Sequence, residues 1–200
     1  MQFSQGKRLI KLTALGAAVT AAVLSTATAS FSLSALANLM PSLQALTPAE
    51  IGYAVIEGTS DPELSGEVLL YETSAGLRVI GNLINTPPGV HGFHIHEFGS
   101  CADQGKAAGG HYNPDGVEHG DLLADGFEHA HAGDLGNVEV SEDGTAVWEQ
   151  LFPGLTLRSG NYPVAGRSFI LHAAPDDLSQ PTGNAGARIG CGTIRATVSP

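Results

Sequence analysis

His94 and His96 stand one residue apart in the stretch HGFHIHEFGSC, residues 91–101. In an extended strand, residues i and i+2 project from the same face. Two imidazoles are thereby set side by side, a spacing that suits chelation of one metal ion. Seven of the chain's eight histidines lie between His91 and His131, and the eighth, His172, closes the run RSFILH. Asp134 follows His131 by three residues. Imidazole suits copper and zinc, and a carboxylate added to imidazoles suits zinc. Magnesium or calcium would want mostly oxygen ligands. An H-x-H pair alone points to a metal only weakly. The same pair beside His111, His119, His131, His172 and Asp134, in glycine-rich surroundings, points to one strongly. His91 falls at an odd offset from His94, faces the other side of the strand, and reads as structural. His129, in an acidic stretch, reads as a surface residue.

The elements that must carry these ligands are strands. The runs IGYAVIEG, SGEVLLYET, LRVIGNLINT and GVHGFHIHEF are short and β-rich, separated by the turn formers TSDPEL, SAG and PPG. SAG between Thr73 and Leu77 marks a tight hairpin. Strands resume after residue 134 with GNVEVS, the turn EDG and TAVWEQ, then RSFILH and ARIGCGTIRATV. No stretch holds a 3.6-residue apolar period. About eight such strands imply an all-β Greek-key barrel or sandwich. Residues 99–135 and 173–187 break this rhythm: they are long, polar and rich in Gly, Asp, Asn and Pro. Long irregular loops in a compact domain are usually functional, and these coincide with the histidines.

Two hundred residues suffice for one domain with its own core. The first residues read separately. KRLIK, residues 7–11, is a positive segment; residues 12–24, LTALGAAVTAAVL, are an apolar run of signal-peptide length; ATA at 27–29 and ALA at 35–37 offer small residues for cleavage. We expect a leader over residues 1–37, a Pro-containing linker over 38–48 and the domain over 49–200. The apolar run is too short and alanine-rich for a spanning helix, so no stable membrane insertion is expected after cleavage. Export, to a periplasm or the medium, follows. The formal net charge is −11, and loss of the leader leaves six cationic side chains against all twenty acidic ones. Such a balance argues against nucleic-acid binding, which needs a basic patch. Two cysteines, Cys101 and Cys191, in an exported chain suggest one disulfide.

Over residues 51–198 the sequence resembles the copper/zinc superoxide dismutases. GFHIHEFGSC is similar to the family's copper-site signature, with His94 and His96 as copper ligands. AGGHYNP resembles the segment whose histidine, here His111, bridges the two metals. HAGDLGNV resembles the zinc segment, and GRSFILHAAPDDL the segment with the last copper ligand. The resemblance thus implies copper on His94, His96, His111 and His172, and zinc on His111, His119, His131 and Asp134. It implies that Asp176 accepts hydrogen bonds from His94 and His119, one histidine of each metal. TGNAGARIGCG resembles the C-terminal signature, implying Arg188 beside the copper and Cys191 bonded to Cys101.

The implied fold is a Greek-key β-barrel of eight strands, in agreement with the strand count. The implied reaction is disproportionation of superoxide to dioxygen and hydrogen peroxide, with His111 and Arg188 as the catalytic side chains. Copper carries the redox chemistry, since zinc has none. Lys106, the only lysine outside the leader, is expected to help steer the anionic substrate. The sequence departs from the animal and plant cytosolic pattern in a longer stretch from Cys101 to His111. The stretch from His172 to Arg188 is shorter and lacks lysine and glutamate. Arg195 and Ala196 stand where small and apolar residues form the usual dimer contact, which leaves monomer and homodimer open. These departures, with the leader, resemble an exported, bacterial-type enzyme. The rival reading is a non-catalytic copper/zinc carrier on the same scaffold, disfavoured because every ligand and Arg188 are present.

Overall fold

Residues 51–197 are described in a computed structural model. The expected leader and linker lie outside the described residues. The first three strands follow directly from alternation. β1 (Ile51–Gly58), β2 (Ser65–Thr73) and β3 (Gly76–Ile84) bury alternate residues, so that Ala54, Ile56, Val68, Leu70, Leu77, Val79 and Leu83 fill the interior. A period of two is what a sheet with one wet face requires. The expected hairpin joins β2 to β3, with Thr73 opposite Gly76.

The remaining long strands are β4 (Gly89–His96), β5 (Asp134–Val140), β6 (Ala146–Phe152), β9 (Ser168–His172) and β10 (Arg188–Thr193). Hydrogen bonding runs in the order β5-β4-β9-β10-β1-β2-β3-β6, all antiparallel. Chain-adjacent β3 and β4 therefore sit on different parts of the sheet, which is the Greek-key crossing. The result is an eight-stranded, nearly closed barrel, with β5 and β6 at its two ends. A tight turn over residues 141–145 links those ends, held by Ser141 N–H donating to Thr145 O. Phe93 stacks on Phe169 at 5.0 Å and meets Trp148 edge-on at 5.2 Å, closing the core below the seam.

Three details differ from the sequence expectation. The run ARIGCGTIRATV is two strands, β10 and β11 (Arg195–Thr197). Between them Ile194 turns into the core, and its N–H donates to Arg167 O instead of the ladder. β5 begins at Asp134, two residues early, because that aspartate is the register partner of His94. The long loops also contain structure: a 3-10 turn at Lys106–Ala108 and a single-turn helix α1 (Leu122–Asp125), capped by the Asp121 carboxylate. A parallel pair, β7 (Leu155–Thr156) and β8 (Tyr162–Pro163), lies off the barrel. Among the described residues no helix is long and apolar enough to cross a membrane.

Candidate metal centre

β4 carries Phe93 and Ile95 into the core, while His94 and His96 face outward. They are nonetheless buried, 0% and 1% exposed, because the two long loops fold over that face. β9 lies against β4 and ends at His172; β10 lies against β9 and starts at Arg188, opposite His172. The long loop after β4 returns along the strand's own edge. His111 forms a bridge with His96, Tyr112 N–H donates to Ile95 O, and Ile95 N–H donates to Gly133 O. This return brings His111 and Asp134 beside His94. Aromatic contacts hold the rest of the loop: Phe127 stacks on Tyr162 at 3.7 Å, and the Arg167 guanidinium lies 3.3 Å from the Tyr112 ring centroid.

Two groups of ligand atoms result. His94, His96, His111 and His172 form one, and His111, His119, His131 and Asp134 the other; within each group the atoms lie within 4.8 Å of one another. His111 belongs to both. Its Nδ1 is 2.7 Å from Asp134 Oδ1, which leaves Nε2 for the first group. Asp134 is also 2.9 Å from His119 Nδ1 and 3.1 Å from His131 Nδ1. Its Oδ2 accepts from the N–H groups of Gly120 and His131, so the carboxylate is fixed before any ion arrives.

The opposite ring nitrogens are tied down, which orients each ligand. His94 Nε2 donates to Asp176 Oδ2 at 2.7 Å, and His119 Nε2 to Asp176 Oδ1 at 3.0 Å. His96 Nδ1 donates to Gly109 O at 3.0 Å, and His172 Nδ1 to Gly186 O at 3.3 Å. Six buried side-chain polar atoms among the described residues lack a hydrogen-bond partner. Four are ring nitrogens of this centre: His94 Nδ1, His96 Nε2 and His172 Nε2 of the first group, and His119 Nδ1, which has the Asp134 carboxylate beside it at 2.9 Å but out of line for a hydrogen bond. Buried polar atoms are almost always satisfied. The three orphans of the first group fit a cation that would complete them.

Electrostatics agree. Burial, reinforced by neighbouring imidazoles and Arg188, pushes His96 down to about 2 and His172 down to about 3. Burial lowers His111 to about 4 although Asp134 pulls the other way. These imidazoles stay neutral, which is their ligating form. Asp134 and Asp176 are held below the usual carboxylate range, because the imidazoles hydrogen-bonded to each outweigh burial. His119 is the exception. Burial alone would lower it, but the carboxylates of Asp134 and Asp176 on its two sides hold it up at about 9.

Arg188 sits at the edge of the first group. Its Nη1 donates to Gly105 O at 2.5 Å and its Nη2 to Gly109 O at 2.6 Å. Lys106 is exposed, 4.0 Å from Asp103, and shares with Arg188 a groove of about 480 Å³. Asp176 touches one histidine of each group, His94 and His119. The Cys101–Cys191 disulfide is formed and anchors the loop that carries Gly105 and Gly109. His91 joins neither group; its nitrogens face the carbonyls of His172 and Pro87 at 2.8 Å. His129 is exposed, as expected.

Other contributors were not found from the sequence. The carbonyls of Gly105 and Gly109 hold Arg188, and a main-chain atom leaves no mark in residue type. Asn137, read only as a strand residue, binds the Asp176 main chain from both sides. In a comparison with protein families, the model described as copper/zinc superoxide dismutase (SODC) matches residues 64–194, a span holding every residue of both groups and Arg188.

Proposed function

We propose, for a chain that belongs to the copper/zinc superoxide dismutase family, that it converts two superoxide anions and two protons to dioxygen and hydrogen peroxide. His94, His96, His111 and His172 would hold copper; His111, His119, His131 and Asp134 would hold zinc. The observation that carries this reading is the double membership of His111, one imidazole facing two buried groups. When bound, copper supplies the one-electron couple that both half-reactions need.

The chain's own residues do the rest. Arg188 is fixed by two main-chain carbonyls, and the N–H groups left over on its fork can meet a small anion. Its fixed positive charge stands opposite His172 in register and lines the groove shared with Lys106. His111 is the proton carrier: its Nδ1 lies beside Asp134, and its Nε2, which would help hold copper, is the atom that can carry a proton to the peroxide product. Asp176 keeps the rings of His94 and His119 in their ligating orientation. The non-catalytic carrier reading has no use for an arginine so held.

Elemental analysis with a superoxide-decay assay tests the proposal. Copper and zinc, about one of each per chain, with activity lost on chelation and restored by copper, is the expected result. Zinc alone, with no activity after copper addition, would overturn it. We also propose that residues 1–37 are an export leader cleaved near 29 or 37 and that the mature enzyme works in a periplasm or outside the cell. N-terminal sequencing of the secreted fraction checks this, and an uncleaved amino terminus would refute it.

A further inference from the structure

The loop between β9 and β10 has little core of its own: of residues 173–187 only Asp176, Gly183 and Ala185 are buried. At its apex Gln180 is exposed, yet its carboxamide turns back onto a single residue of the other long loop, 61 positions away. Gln180 Oε1 accepts from the His119 N–H at 3.0 Å, and Gln180 Nε2 donates to the His119 C=O at 2.8 Å. His119 lies outside every strand and helix, and both its main-chain groups go to this one side chain. A side-chain amide here does the work of a β-bridge.

A second carboxamide acts the same way at the far end. Asn137 of β5 donates from Nδ2 to Asp176 O at 3.0 Å and accepts the Asp176 N–H at Oδ1 at 2.8 Å. The side chains of the two clamped residues then meet, His119 Nε2 donating to Asp176 Oδ1 at 3.0 Å. The series Asn137, Asp176, His119, Gln180 is continuous in hydrogen bonds and crosses from one loop to the other.

We infer that Gln180 is a positioning residue for His119: by clamping the His119 main chain it sets that ring within the His111, His119, His131 and Asp134 group and ties closure of the 173–187 loop to metal occupancy there. The inference rests on the reading of that group as the zinc site. A four-ligand zinc site tolerates little displacement of any ligand. His119 has no strand ladder to supply that precision, so the amide pair must.

The test uses the full chain, disulfide intact, stripped of metal and carrying Gln180→Ala, Gln180→Met or Gln180→Glu. Zinc affinity is measured by competition with a chromophoric chelator, and Co²⁺ bound in the same group reports its geometry by visible absorption. Ala removes both hydrogen bonds; Met removes them but keeps the bulk; Glu keeps the acceptor and loses the donor. Ala and Met are expected to weaken zinc binding about tenfold, the lower end of losses seen when partners of metal ligands are removed. The Co²⁺ band should shift or weaken, and Glu should fall between these variants and the wild type. Wild-type zinc affinity and an unchanged Co²⁺ spectrum in Ala and Met would overturn the inference. So would a Met variant that binds like wild type beside a weakened Ala variant, since bulk would then suffice. A wild-type chain that takes up neither zinc nor Co²⁺ would overturn the zinc-site reading itself.

Discussion

Gly183→Ala offers a sharp test of how the centre is held. Gly183 is buried with φ +73, and a Cβ there would overlap the Asp176 carboxylate and lie 2.7 Å from His119 Nε2. Asp176 has nowhere to retreat. Its oxygens hold His94, His119 and the Leu178 N–H, and Asn137 clamps its main chain. Two costs add. An L-residue in the left-handed region costs about 1–2 kcal/mol. Displacing the carboxylate breaks at least one charge-assisted hydrogen bond, worth about 1.5–3 kcal/mol. The sum is about 3–5 kcal/mol, or on the order of 10 °C in thermal midpoint for a domain of this size. Gly116→Ala is the control, with φ +65 and nothing within 4 Å of the added Cβ, so it bears only the backbone cost. Differential scanning calorimetry of the metal-free variants, with zinc affinity by chelator competition, gives both quantities. Gly183→Ala should unfold several degrees below Gly116→Ala and bind zinc at least about tenfold more weakly than wild type. Equal midpoints for the two variants, with wild-type zinc affinity in both, would refute the claim that the Asp176–His119 contact is sterically fixed by this glycine.

Further outcomes follow from the same geometry. In the metal-free protein, His96, His172 and His111 sit at about 2, 3 and 4 against 6.5 for the free side chain, so below pH 6.5 the unfolded state binds more protons. Stability should therefore fall as pH drops from about 6.5 toward 4, by up to about 1.4 kcal/mol per pH unit for each proton. His119, raised to about 9, works the opposite way: its contribution is complete below 6.5 and is lost as pH rises through 9. Urea titrations across pH 4.5–9 should show a steep acid limb and a shallow alkaline one; symmetric limbs would contradict the assignment. Arg188→Lys cannot hold both Gly105 O and Gly109 O in one planar fork, so kcat/KM for superoxide should fall about tenfold or more while metal content stays unchanged. An unaltered kcat/KM would remove Arg188 from the reaction. Lys106→Gln should lower kcat/KM and flatten its dependence on ionic strength, because a surface charge acts within a screening length of about 8 Å. A rate-versus-salt curve that matches wild type would show that Lys106 does not steer.

The barrel was legible wherever one face is wet. Alternation in β1, β2 and β3 marks the inward residues, and the ligands on β4 follow from the same period of two. Strand order is another matter. Every strand alternates alike, so nothing local says that β4 leaves β3 to pair with β5 and β9. The break at Ile194 was hidden because both halves of ARIGCGTIRATV are good strand sequence; the cause is a distant main-chain partner, Arg167 O. α1 carried a signal in its cap, Asp121, but four residues cannot show a helical period. The ligands were legible through residue type, since few side chains can bind metal. The supports were less so: Gly105 and Gly109 act through carbonyls, and an exposed Gln180 looks like any other surface glutamine.

This division has an energetic basis. The barrel buries Phe93, Phe169 and the aliphatic rows of β1 to β3, and the loop after β4 adds Tyr112, Leu122, Ala130 and Ala132 to the same core. Beyond that contribution the loops bury imidazoles and carboxylates. Three ring nitrogens left unpaired in the metal-free chain, on His94, His96 and His172, oppose loop closure, at about 1–3 kcal/mol each by ordinary desolvation costs. Cations that satisfy those atoms remove the cost, so metal-binding free energy becomes the free energy of loop order. The Cys101–Cys191 disulfide anchors one end of this system covalently, next to the carbonyls that hold Arg188. At the other end stands Asp176, hydrogen-bonded to a ligand of each group. Loading one group should thus stiffen the ligands of the other, and the two affinities cannot be independent: by linkage, whatever factor one metal imposes on the affinity for its neighbour, the neighbour imposes in return.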